Sequence, residues 1–196
     1  PSGRRDPAAL GCPDAPGLDA HVWRRLEGTF AAPSFIGPDG MIEWRDGLPV
    51  PQGDEEVAFV AVVPQSVKDA APGTVPLMQF GHGLIASQKA YLAAEGDPNG
   101  VLALADKAGV VAVGADLRGL CTADLGVPMA MIEDISKLWA LHDQLVQGML
   151  NQDRVVTFAR TALAGDPALL AAGGGAFIDP ARAVYYGISL GGIAGA

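Results

Sequence analysis

A chain of 196 residues, 49% of them hydrophobic, is long enough for one domain with a substantial core and too short for two ordinary ones. That apolar content excludes a disordered chain, and a formal net charge of -9 without any basic stripe argues against a nucleic-acid partner and against attraction to anionic membranes. No apolar run approaches the roughly 20 residues of a transmembrane segment, the longest being the strand-sized stretch 108–115.

Residues 1–21 are rich in Pro, Gly, Asp and Ala and read as an irregular lead-in. Their start, Pro1-Ser2-Gly3-Arg4-Arg5-Asp6, has no hydrophobic segment, so any signal peptide has been removed or never existed. Residues 22–196 read as a single further unit. The stretch 22–36 predicts a strand running into the turn Gly37-Pro38-Asp39-Gly40, and a second turn covers 46–51. The β-branched run 57–63 predicts another strand, antiparallel to the first.

The pattern then changes. Residues 75–80 form a short buried strand stopped by Gly81-His82-Gly83. Helical stretches at 91–94 and 101–107 flank the turn at 96–100, and 109–115 is a buried strand. Apolar residues at Ile132, Ile135, Leu138, Leu145, Met149, Val156 and Leu163 predict one long helix over 131–164, with Gly148 marking a close contact or a break. The segment 169–176 reads as a flexible surface loop, and 183–186 as the last strand. This alternation predicts an α/β fold: a mostly parallel sheet with helices on both faces, preceded by antiparallel strands.

The chemistry concentrates at Gly187-Ile188-Ser189-Leu190-Gly191, which fits the G-x-S-x-G pattern of a nucleophile elbow between strand and helix. Such a turn is strained, and side chains two residues either side of the serine would collide with the neighbouring strand and helix. The competing reading is a glycine-rich or phosphate-type turn that merely contains a serine. The apolar strand ending in Phe80-Gly81-His82-Gly83-Leu84 resembles the strand and His-Gly-x loop of α/β-hydrolases, notably lipases and esterases. Val113-Gly114-Ala115-Asp116-Leu117-Arg118-Gly119 resembles the D-x-R-G strand ending of the same superfamily. Read structurally, Asp116 caps a turn and Arg118 lies in solvent.

That resemblance spans about residues 22–196 and corresponds to the amino-terminal half of the superfamily's fold. It implies Ser189 as nucleophile, backbone N–H groups of Leu84 and Leu190 as the oxyanion hole, and structural roles for His82 and Gly83 in the oxyanion loop. Gly28-Thr29-Phe30, Leu48-Pro49-Val50-Pro51, Phe80-Gly81-His82-Gly83-Leu84 and Tyr185-Tyr186-Gly187-Ile188-Ser189 together look like those of large bacterial secreted or lipoprotein hydrolases, which implies an extracytoplasmic location.

A serine hydroxyl needs a base and an orienting acid, which in this superfamily follow the serine in the chain. Only seven residues follow Ser189 here. His82 belongs to the oxyanion loop, His142 reads as a satisfied residue of a helix surface, and His21 as an exposed residue of the lead-in. The expectation is therefore an amino-terminal piece of a hydrolase, its histidine and acid carried by a second polypeptide or a missing carboxyl-terminal segment. Without that half, strand 183–186 is an uncovered edge. Acting on carboxylic esters or lipids is the first functional reading; a non-catalytic binding or structural module with the same fold is the second. No cofactor is implied, and neither zinc nor calcium spacing is present. Cys12 and Cys121 either form one bridge or, unpaired, leave Cys121 a small buried hydrophobe without an activating histidine.

Overall fold

The computed structural model describes residues 18–171 and 174–195. Most of the lead-in, Cys12 and its pairing with Cys121 lie outside them. The long β-branched runs build one mixed five-stranded sheet. Strand β1 (Val22–Pro33) pairs antiparallel with β4 (Asp54–Pro64), Leu26 opposite Ala61 and Phe30 opposite Val57. Between them, β2 (Trp44–Arg45) and β3 (Leu48–Pro49) form a separate two-stranded hairpin. Strand β6 (Val111–Ala115) is antiparallel to β4 and parallel to β5 (Val75–Gly81), which is parallel to β7 (Ile178–Gly187). The order is β1-β4-β6-β5-β7. The sheet is thus mixed rather than mostly parallel, because the expected leading antiparallel strands belong to it.

Helices cover both faces, as expected. Parallel crossovers are almost always right-handed. The path from β5 to its neighbour β6 runs one way along the sheet, and the path from β6 to β7 runs back past β5. Right-handedness therefore puts the two connections on opposite faces. The first contains α1 (Lys89–Leu92) and α2 (Val101–Ala108); the second contains α3 (Gly126–Glu133) and α4 (Leu138–Phe158). Strand β4 shows the two-sided burial that results. Val57, Phe59, Ala61 and Val63 join Val155, Ala159 and Leu163 in one cluster, whereas Val60 and Val62 meet Leu92, Val101, Leu102 and Ala105 in the other. Phe158 closes the first cluster by stacking on Phe30 at 4.7 Å between centroids.

The long helix departs most from expectation. It is two helices, divided at Asp134, whose side chain accepts from Ser136 N and caps a short 3-10 turn. Helix α4 then passes into a π-helical turn over Ala159–Leu163. Of the apolar residues whose spacing predicts the helix, Ile132, Ile135, Leu138 and Met149 are exposed. The buried face carries Asp143, Gln144, Gln147, Asn151 and Gln152 beside Leu141 and Val155.

This polar face is buried because four of its members read backbone groups that would otherwise lack a partner, while Asn151 links Gln147 to Glu55. Gln147 Oε1 accepts from Phe35 N at 2.9 Å, and its Nε2 donates to Pro33 O and Asn151 Oδ1. Gln144 donates to Gly40 O, and Asp143 Oδ2 accepts from Ile42 N. Gln152 donates to Ala115 O and receives Gln79 from mid-sheet. Gly148 is a close contact, since a Cβ there would lie 2.8 Å from Arg118 O. The segment 169–176 is also more anchored than expected. Leu169 and Ala171 are buried, and Leu170 bridges to Ala176.

Replacing Gln147 with alanine strands three polar partners, the buried Asn151 and the half-buried Pro33 O and Phe35 N, at a cost of about 1–3 kcal/mol, whereas the exposed Val146→Ala shifts stability by less than about 0.5 kcal/mol. Urea denaturation of the two variants checks this; equal effects would show that α4 is held by apolar contacts instead.

Candidate active site

Strands β5, β6 and β7 run parallel, so their carboxyl ends lie on one edge and the loops after them meet there. The loop after β5 leads to the face of α1 and α2. After β7 the chain turns into α5 (Leu190–Ala194), which faces Leu145 and Met149 of α4 on the other side. Divergence of two neighbouring connections opens a crevice at the carboxyl ends, the usual ligand position in open α/β sheets.

Ser189 sits at the sharpest point of this edge. Its φ of 55° and ψ of -114° are a backbone conformation that L side chains rarely adopt. The flanking glycines are sterically required, as expected. A Cβ on Gly187 would strike the backbone of Gly191 and approach Gly192 N at 2.6 Å. A Cβ on Gly191 would penetrate the carbonyl of Gly81 and reach His82 O at 2.9 Å. The first turn of α5 therefore rests directly on the backbone at the end of β5. Ile188 N donates to Gly81 O at 3.0 Å across the same seam. Tyr185 donates its hydroxyl to Gly191 O at 2.5 Å. Its ring occupies the space that side chains on Gly81 and Gly195 would need, and burial pushes its pKa above the ordinary tyrosine value.

The loop after β5 lies against the serine. A Cβ on Gly83 would come 3.7 Å from Ser189 Cβ and 3.2 Å from the Tyr91 hydroxyl. His82 is fully buried and uses both ring nitrogens. Nε2 accepts from Leu117 N at 2.8 Å, which leaves the proton on Nδ1 to donate to Gly83 O at 2.7 Å. Asp116 Oδ1 is 3.6 Å from Nε2, but with that lone pair engaged the contact is not a charge pair. The imidazole ties the loop after β5 to the loop after β6 and has no valence left for Ser189. Leu84 N and Leu190 N donate to no partner among the described residues, and Leu84 is half exposed. Both are free to serve an incoming oxygen.

The loop after β6 holds one expected feature and one surprise. Asp116 caps as expected, accepting from Gln88 N at 2.8 Å, and burial raises its pKa above the usual carboxylate value. Arg118 does not lie in solvent. It pairs with Glu55 of β4 and donates from Nε to Gln144 Oε1 at 2.5 Å, so it clamps the loop to α4. Sequence spacing does not bring Glu55 and Arg118 together; only the antiparallel β4–β6 pairing does. No protein-family model matches this chain, and no curated protein matches it significantly.

The other histidines are spent elsewhere. His21 is partly exposed and pairs with Asp106 at 3.0 Å, an interaction that raises its pKa. His142 Nδ1 meets Asp143 Oδ1 at 3.0 Å on the surface of α4. Ser189 Oγ bonds no described residue. Cys121 is a buried thiol donating to Asp124 at 3.1 Å, and burial followed by that carboxylate pushes its pKa up to about 12. It is not a nucleophile at neutral pH. No group of three or more metal-ligating side chains is present among the described residues.

Beside the serine, Leu117, Leu145, Met149, Leu190, Ile193 and Ala194 line an apolar cavity of about 280 Å³. It lies between α4, α5 and the loop after β6, and Leu190, the residue after Ser189, is part of its wall.

If the turn at Ser189 stores strain, Ser189→Gly stabilises the fold relative to Ser189→Ala by about 1–2 kcal/mol. Both lack the hydroxyl, so the difference reports the backbone alone. Thermal or urea unfolding measures it, and an alanine variant as stable as the glycine one would show an unstrained turn.

Proposed function

We propose that the chain supplies the nucleophile and oxyanion hole of a serine hydrolase of the α/β-hydrolase type, acting on carboxylic esters or lipids. One observation carries the reading: Ser189 stands at positive φ between two glycines that admit no Cβ, with the Gly83 loop packed against it. A serine in an ordinary glycine-rich turn does not require this crowding.

In the reaction, Ser189 Oγ attacks the ester carbonyl carbon while its proton passes to a base. The carbonyl oxygen becomes an oxyanion held by Leu84 and Leu190 N–H. Each such donor is worth about 3–4 kcal/mol in the transition state. Collapse expels the alcohol, which takes the proton from the base, and leaves an acyl-serine. Water then attacks that ester and regenerates Ser189. Hydrogen bonding to Leu117 and Gly83 keeps His82 in a positioning role.

The base and its acid come from outside the described residues, on a further segment or a second polypeptide. Two features support this assignment. Ser189 Oγ has no base among the described residues, and the outer edge of β7 pairs with no described strand while Val184 and Tyr186 remain exposed beside it. The apolar cavity beside Leu190 receives the acyl group. At about 280 Å³ it is at the small end for a ligand site, which favours short acyl chains over long ones. The unpartnered serine equally supports the second reading, a module that binds without turnover.

A fluorophosphonate probe applied to the native protein separates the two. The expected result is a single adduct on Ser189, lost in Ser189→Ala, with p-nitrophenyl butyrate cleaved at least about tenfold faster than the palmitate ester. No adduct on Ser189 in a preparation that also contains the base-bearing segment would overturn the hydrolase reading.

A further inference from the structure

A second cavity, of about 690 Å³, lies away from Ser189 between the turn at 37–41, the β2 hairpin and the start of α4. Neither of the loops that form the serine site lines it. Its size is that of a small-ligand site, and two features of its wall set it apart from an accidental gap. Trp44 from β2 and Trp139 from α4 are 58% and 66% exposed, so two indole rings border the cavity without packing into any core. An exposed tryptophan forfeits one of the largest apolar burials available to a side chain.

The wall carries three carboxylates beside Gln52 and His142. Asp39, Glu43 and Asp143 line the cavity and no lysine or arginine does. Asp143 is committed to Ile42 N and His142, and Glu43 is paired with Arg45 outside the lining. Asp39 accepts from Met41 N through Oδ1 at 3.1 Å, and its second oxygen has no partner among the described residues. Asp143, itself nearly buried, is fixed by bonds from two elements and so holds His142 and the 37–42 turn in one arrangement. The wall is therefore pre-organised and negative, on a chain whose overall charge is also negative.

We propose that this cavity binds a small organic cation, an alkylated ammonium compound, with Trp44 and Trp139 supplying cation–π faces and Asp39 the counter-charge. Tryptophan is the best of the aromatic side chains for that contact, and quaternary ammonium groups are its characteristic ligands. A neutral sugar would also stack on indole and donate hydroxyls to the carboxylates, but only a cation gains charge pairing with Asp39 and the electrostatic attraction of the indole faces. The inference does not depend on the chemistry of Ser189, and either can fail without the other.

The test uses the full chain and ligand-observed NMR titration with benzyltrimethylammonium and choline, against the neutral choline isostere 3,3-dimethylbutan-1-ol and against glucose. Both cations are expected to bind saturably, and the neutral isostere at least about tenfold more weakly than choline. Trp44→Ala, Trp139→Ala and Asp39→Asn should each weaken cation binding by at least about fivefold. All three side chains are at the surface, and circular dichroism confirms that the variants fold. The half-buried Trp23, packed on Phe177 at 5.6 Å, serves as the unaffected control indole. Equal affinity for the isostere or for glucose, affinity unchanged in the tryptophan variants, or no saturable binding would each overturn the proposal.

Discussion

The contact of Gly191 with the carbonyl of Gly81 is the constraint on which the site depends. It brings the first turn of α5 down onto the end of β5 with no side chain between them. Because that approach is so close, the link between β7 and α5 has only Ile188 and Ser189 in which to reverse. The reversal forces Ser189 to positive φ and turns its hydroxyl outward from the edge. The same contact places Gly83 beside Ser189 and leaves the N–H groups of Leu84 and Leu190 unpaired. One steric fact thus accompanies the positive φ of Ser189, the approach of Gly83 and the two unpaired N–H groups together.

The surrounding structure keeps this arrangement from relaxing. His82 ties the loops after β5 and β6 with both of its nitrogens, Tyr185 braces Gly191, and Arg118 fastens the loop after β6 to Glu55 and Gln144. Beyond them, the buried amides of α4 register that helix against three separate backbone segments, at 33–35, 40 and 115–116. Hydrogen bonds of this kind add little net stability when satisfied but cost heavily when broken. They therefore fix geometry more than they supply folding energy, which comes from the two apolar clusters on either side of the sheet.

Much of this was legible in the sequence because local rules act locally. The strands at 57–63 and 109–115 follow from β-branched runs and that at 75–80 from a short apolar run stopped by Gly81-His82-Gly83, and the need for Gly187 and Gly191 follows from the turn they flank. The buried face of α4 was not legible. Periodicity counts apolar residues, and here Ile132, Ile135, Leu138 and Met149 are exposed while glutamines are buried. Which face turns inward depends on backbone partners at Pro33, Phe35, Gly40 and Ala115, residues distant in the chain. Arg118 was misplaced in solvent for the same reason, since its partner Glu55 is 63 residues away. The division at Asp134 was signalled only by an aspartate two residues before a serine, a capping pattern that an apolar count passes over.

The crystal structure of the native protein phosphonylated at Ser189 tests the central claim most directly. A nucleophile held by this elbow places the phosphoryl oxygen about 2.7–3.1 Å from the backbone nitrogens of both Leu84 and Leu190. An adduct whose oxygen points to solvent, or a Ser189 relaxed to an ordinary negative φ, would contradict it.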